Sequence, residues 1–164
     1  MTNLVGYDTL PTIFPTNLNM KLTTKGRYAV TTLLDFANSQ QNHPISIHEV
    51  ATRHGISASY LERLAGIMRA KGLIKSIRGP NGGYMLAKEA KDITVAEIML
   101  AVNEKIDATR CKGRANCHEG KVCATHHLWE QLNHNIFHFL EGITLSDLMA
   151  KPRVAPMPIR FEHA

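Results

Sequence analysis

The stretch "ISIHEVATRHGISASYLERL", residues 45–64, with "LIKSIRGPNGGYMLAK", residues 73–88, constrains the fold more than any other part of the chain. Ser46 followed three residues later by Glu49 is a capping pattern, so a short helix starts there and stops at Gly55. Ser57 is the expected N-cap of the next helix. Two helices separated by a Gly-containing turn are a helix-turn-helix. The second stretch is a β-prone run, a Gly/Pro/Asn tip and another short run, which predicts a hairpin.

Upstream, Val30, Leu33, Leu34 and Ala37 recur at i, i+3, i+4 and i+7 and predict a first helix buried along that stripe. Three helices followed by a hairpin make a winged helix-turn-helix, mainly α with a small β-hairpin wing, over residues 20–103. Thr94 with Glu97 and Thr144 with Asp147 cap two further helices, the first running to about Asn103. Residues 104–150 hold a loop with every cysteine of the chain, then a long helix over about residues 126–141. Residues 1–19 have no helical period and carry Pro11 and Pro15; they are expected to be a disordered extension ahead of a natural start at Met20. The proline-rich residues 151–164 are expected to be a flexible tail.

Charge is distributed unevenly. Between Met20 and Asp92 there are eleven Lys or Arg against five Asp or Glu, whereas the rest of the chain has eight against nine. All the excess basicity therefore lies in the winged segment, as expected of a module that grips a polyanion. No stretch approaches the ~18 apolar residues of a membrane span, so no membrane partner is expected. No Lys or Arg precedes Lys21, so the N-terminus does not read as a secretory signal, and the expected compartment is the cytoplasm, where thiols stay reduced.

On a helical wheel Tyr60, Leu61, Leu64, Ile67 and Met68 share an arc of about 120°, the expected core side of the second helix of the motif. Ala58, Ser59, Glu62, Gly66 and Arg69 oppose it, with Arg63 at the flank. Small residues at the start of that helix let its amides approach a phosphate. Glu62 is the odd member, because an acid facing DNA is repelled unless it accepts a hydrogen bond from cytosine N4. It either selects a sequence or vetoes one. At the hairpin tip Arg78 stands beside Gly79 and Gly82, where it could enter a minor groove. Lys21, Lys25 and Arg27 suit phosphate clamping. The expected DNA contacts are thus Lys21, Lys25, Arg27, Ser57, Ser59, Tyr60, Glu62, Arg63, Arg78, Gly79 and Gly82. The plainer alternative is a set of solvated cations around a tight turn.

The cysteine loop, "CKGRANCHEGKVCATHHLW", spaces its residues as C-x5-C-x5-C-x2-H, with His127 a rival at C-x3-H. Three soft thiolates and an imidazole are a metal-binding set, and an odd cysteine count argues against a disulfide framework. Structural zinc usually uses closer cysteine pairs. The spacing alone leaves zinc and an iron–sulfur cluster both open.

The motifs "LTTKGRYAV", "GISASYLERL", "IRGPNGGY", "DATRC" and the cysteines leading into "CATHHLW" give the chain a close resemblance, over about residues 20–150, to the IscR family of bacterial winged-helix iron–sulfur cluster regulators. The resemblance implies a homodimeric transcriptional regulator that binds promoter DNA and senses cluster status, acting as repressor or activator. It implies a [2Fe–2S] cluster, received from the assembly machinery, on Cys111, Cys117, Cys123 and His126, and a dimerisation role for the helix after the loop. The 19-residue extension and His127, where the family pattern has a small residue, depart from it. Replacing one thiolate by neutral imidazole removes a negative charge, which raises the cluster's potential and makes that ligand protonatable.

In the long helix Leu128, Trp129, Leu132, Ile136, Phe139 and Leu140 share one side, expected as a dimer seam or as core. His127, Gln131, His134 and His138 lie opposite; His134 and His138 could hold a metal but read first as a solvated face. Two other functions compete. A zinc-stabilised Cys3His protein that binds RNA would leave the winged half without a role. A redox enzyme or electron carrier has no Gly-rich cofactor loop, base–nucleophile arrangement or fourth cysteine behind it, so no enzymatic activity is expected.

Overall fold

Helix α1 (Thr24–Ala37), α2 (Ile47–His54) and α3 (Ala58–Ala70) precede an antiparallel hairpin of β1 (Ile74–Ile77) and β2 (Gly83–Leu86). The computed structural model describes residues 23–38, 43–104, 106–109 and 111–150, so the expected disordered extension, Lys21 and the expected tail lie outside the described residues. After the hairpin come a 3-10 turn at Ala90–Asp92, α4 (Val95–Ala101), the cysteine loop, α5 (His126–Glu141) and α6 (Leu145–Met149). The winged helix-turn-helix is present as expected.

The capping signals act as local chemistry requires. Ser46 Oγ accepts from the Glu49 amide at 3.2 Å, and Glu49 Oε2 accepts from the Ser46 amide at 2.9 Å. Thr144 and Asp147 form the same reciprocal box at α6. At α4 only half of it forms, because Glu97 turns outward to Lys88 at 2.6 Å. Gly55 ends α2 in the left-handed conformation that opens the turn into α3. Ser57 is the N-cap of α3, but its hydroxyl pairs with Ser59 Oγ at 3.0 Å rather than with a helix amide.

The core sits among α1, α2, α3, β1 and α4, with Leu33, Val50, Leu61, Met68, Leu73 and Ile98 fully buried. Helix α6 returns to it: Val95 N–H donates to Ile143 O at 2.8 Å and Leu145 N–H to Ile93 O at 2.9 Å. Leu145 is thereby fully buried, worth roughly 1.5–3 kcal/mol. Two wheel assignments shift. On α1 the buried residues are Gly26, Ala29, Thr32, Leu33 and Phe36, while Val30, Leu34 and Ala37 are half-buried. On α3 the buried line is Leu61, Leu64, Ala65 and Met68; Ile67 is 41% exposed. Periodicity sets the spacing of a buried stripe, but the neighbouring elements decide which edge of it they cover.

Among the described residues no helix is long and apolar enough to cross a membrane.

Candidate metal centre and nucleic-acid interface

The cysteine loop and the start of α5 build one site. His126 is the first residue of α5, with an amide that donates to Cys123 O at 3.1 Å. Only 3% exposed, His126 turns Nδ1 to the Cys111 sulfur at 3.5 Å and the Cys117 sulfur at 3.8 Å. These three donor atoms lie within 4.8 Å of one another. Cys123 is beside them, its amide donating to Cys117 Sγ at 3.2 Å, but its own sulfur does not come within 4.8 Å of all three. His127 points away: its side chain is 84% exposed, with Nδ1 3.6 Å from Glu130.

A cavity of about 330 Å³ opens among these groups, also bordered by Thr109, Thr125, Trp129 and His118. His118 is a neighbour that sequence spacing did not single out. The thiols gather where a helix begins, so the positive end of its dipole favours negative sulfur. Burial pushes the Cys111 thiol up, but hydrogen bonds from the Ala115 amide, the Thr109 hydroxyl, Cys117 and His126 outweigh it and bring the thiol down to about 7. Hydrogen bonds to Cys117 and Thr125 lower the Cys123 thiol, whereas bonding to Cys123 raises that of Cys117. Thiolate is the metal-binding form, so the site holds at least one sulfur ready to bind near neutral pH.

The loop backbone is strained. Lys112, Ala115 and Glu119 take φ of 57°, 57° and 46°, a left-handed conformation costing roughly 1–2 kcal/mol for a side-chain-bearing residue. Such strain persists where surrounding interactions offset it. One set is visible: Asp107 Oδ1 accepts from the Thr109 amide at 2.7 Å and from Asn133 Nδ2 on α5 at 2.9 Å, while Asn133 Oδ1 accepts from the Ala108 amide at 2.7 Å. Spacing gave no sign of Asn133, because its partners lie 25 and 26 residues away. Soft donors, a buried imidazole nitrogen aimed at them and an adjoining cavity together suit a metal or an iron–sulfur cluster.

The expected DNA contacts fall into two exposed groups. Ser57, Ser59, Glu62 and Arg63 are exposed at the start and outer face of α3. Tyr60 is half-buried, edge-on to Tyr28 at 5.9 Å, with the Arg63 guanidinium 5.9 Å from its ring centre. Its hydrophobic body holds α3 against α1, so it borders the core and the outer face alike. Arg78 and Gly79 are exposed at the wing tip. Gly82 is required there by contact, since a Cβ would lie 2.4 Å from Ile77 O. Arg27 is exposed on α1, but Lys25 is half-buried and donates from Nζ to Asn103 O at 3.0 Å.

The apolar side of α5 is only partly covered: Leu128 is 61% exposed, Trp129 and Phe139 are exposed, and Leu132, Ile136 and Leu140 are half-buried, Leu140 against Val95, Met99 and Ile143. Phe137 is exposed on the opposite side. His134 and His138 are exposed, with rings stacked at 6.4 Å between centres.

Comparison with known proteins agrees with this layout. The chain is 49% identical over 144 residues to the HTH-type transcriptional regulator IscR of Photorhabdus laumondii, covering 88% of each protein. The solved structure of T. potens IscR matches with a TM-score of 0.66 and 34% identity over 85% of this chain and 93% of that one. CymR, the global cysteine regulator of B. subtilis, matches with a TM-score of 0.70 and 31% identity over 82% of this chain and 99% of that one. The profile of the Rrf2 family, described as iron-dependent transcriptional regulator, matches residues 22–151. A winged helix-turn-helix with a Cys/His site at the foot of its long helix, matched over most of its length to that family, makes this chain a member of the Rrf2 family of DNA-binding, iron-dependent transcriptional regulators.

Proposed function

We propose that this protein is a homodimeric regulator that senses iron–sulfur cluster status through a [2Fe–2S] cluster and controls genes of cluster assembly. The observation that carries the reading is the convergence of Cys111 Sγ, Cys117 Sγ and His126 Nδ1 within 4.8 Å beside a cavity, in a chain with a winged helix-turn-helix. Cys123, adjacent through its amide, completes the ligand set.

A bound cluster would supply a redox- and supply-sensitive group that comes and goes with cellular iron and sulfur. The chain's own residues do the rest. Buried His126 holds Nδ1 toward the thiols, and Thr109 and the Ala115 amide favour the anionic sulfur of Cys111. Asn133 ties the loop to α5. Helix α3 reads a major groove through Ser57, Ser59, Tyr60, Glu62 and Arg63, while the wing offers Arg78, Gly79 and Gly82 to a minor groove. Arg27, with Lys21 and Lys25, adds phosphate contacts. The apolar side of α5 supports pairing of two copies there, since exposed Leu128, Trp129 and Phe139 are costly in water. The protein acts in the cytoplasm, takes its cluster from the assembly machinery and catalyses no reaction.

Anaerobic purification with absorption spectra and iron and sulfide analysis tests the centre. A red-brown protein with equal iron and sulfide supports the reading. A colourless protein holding zinc replaces it with the zinc-stabilised alternative.

A further inference from the structure

Glu104 is the only carboxylate buried among the described residues, and it is buried against the first turn of α1. Its Oε1 accepts from the Thr23 amide at 2.8 Å; its Oε2 accepts from the Thr23 hydroxyl and from the Gly26 amide at 3.2 Å. These are amides that a helix start leaves unpaired, and Thr23, the N-cap, does not satisfy them with its own side chain. The approach needs Gly26, where a Cβ would lie 2.8 Å from Met99 Sδ and 3.0 Å from Glu104 Cγ. Lys25 closes the contact from the other side through Asn103 O.

From Glu104 the chain runs to Cys111 through successive anchors. Ile106 packs with Val95, Met99 and Ile143. Asp107 and Ala108 are bonded to Asn133 on α5, and the Thr109 hydroxyl accepts from the Gly113 amide at 2.8 Å. Cys111 then faces His126. The described residues of this stretch are each held by a named contact. One end caps the turn that carries Lys25 and Arg27; the other end is a ligand of the candidate centre.

We propose that Glu104 is a positioning residue that transmits the state of the Cys111/Cys117/His126 centre to the first turn of α1, with the contacts of residues 106–109 as the link. The inference rests on the functional reading above, in which the centre is loaded in one state and empty in another. A ligand shared by Cys111 and His126 fixes the end of the segment against the start of α5. Without it that restraint is lost, and the slack passes back through the Asp107–Asn133 bond to the Glu104 contact. A buried carboxylate that merely capped α1 would hold it equally well in both states.

Amide hydrogen exchange on the full-length protein separates these possibilities. Wild type is reconstituted with iron and sulfide, or stripped with a chelator, and peptides covering Thr23–Phe36 are followed by mass spectrometry. Stripping is expected to raise exchange in the first turn of α1 roughly tenfold, the scale of losing hydrogen bonds to a charged group. In Glu104→Ala the same turn exchanges fast whether loaded or stripped, while bound iron and sulfide and the visible spectrum stay at wild-type levels. Equal protection of the wild-type turn in both states, or a loaded-to-stripped difference that survives in Glu104→Ala, overturns the proposal. Iron and sulfide are measured in the same samples. Their absence from wild type overturns the functional reading and the coupling with it, whereas a loaded protein with unchanged exchange overturns the coupling alone.

Discussion

The imidazole of His126 stands with Nδ1 3.5 Å from the sulfur of Cys111, a residue fifteen positions earlier in the chain, while His127 next to it faces Glu130 at the surface. Two adjacent histidines thus occupy opposite environments because consecutive side chains on a helix diverge by about 100°.

That divergence predicts a clean split between two variants. His126→Ala should lose the bound iron and sulfide or hold them only briefly in air. His127→Ala should keep both, with a visible spectrum close to wild type. Absorption spectra with metal analysis check it, and the reverse pattern would reassign the ligand.

The Glu104 contact predicts a pH dependence of stability. Burial pushes its carboxyl up, but hydrogen bonds from the Thr23 hydroxyl and amide and the Gly26 amide outweigh it, so the folded carboxyl lies below its ordinary 4.5. A group lowered on folding stabilises the protein fully above its unfolded value, and that contribution is lost as pH falls through the folded value. Glu104→Gln should therefore lower stability at neutral pH by about 1–3 kcal/mol and flatten the loss of stability in acid. Urea midpoints of both proteins, from neutral pH to below 4.5, give the measurement.

Arg78→Ala should weaken DNA binding and relax sequence preference at the positions beneath the wing, without changing the thermal midpoint. The salt dependence should drop as well, by about 0.9 in the slope of log affinity against log salt if Arg78 neutralises one phosphate. Binding titrations at several salt concentrations report both. Unchanged affinity, preference and slope would remove the wing from the interface.

Leu128→Glu places a charge in the exposed apolar side of α5 at a residue already 61% exposed in one copy, so a single chain should fold normally. If two copies pair through that side, the variant should sediment as a monomer and bind palindromic DNA at least tenfold more weakly, because a buried unpaired charge opposes association. Wild-type sedimentation as a monomer at micromolar concentration would refute the seam.

What the sequence alone determined is what acts over three or four residues. Ser46 with Glu49 and Thr144 with Asp147 form their boxes because cap and acceptor are neighbours on any helix start, whatever packs around them. The hairpin register, Ile74 opposite Leu86 through Ile77 opposite Gly83, follows from where its tip residues fall. Confinement of the cysteines to one short loop keeps them near one another, and Cys111 and Cys117 meet at His126. Tertiary structure alone decided the rest. It chose Ala29 and Phe36 over Val30 and Ala37 as the covered side of α1, and left Ile67 in solvent while burying Ala65. It also set Lys25 Nζ on Asn103 O, and it brought Glu104 to Thr23 across 81 positions and Asn133 to Asp107 across 26. A polar residue's short-range pattern carries no mark of a partner that far along the chain, because the contact exists only once α4, α5 and α6 have packed and desolvated the groups that must then pair.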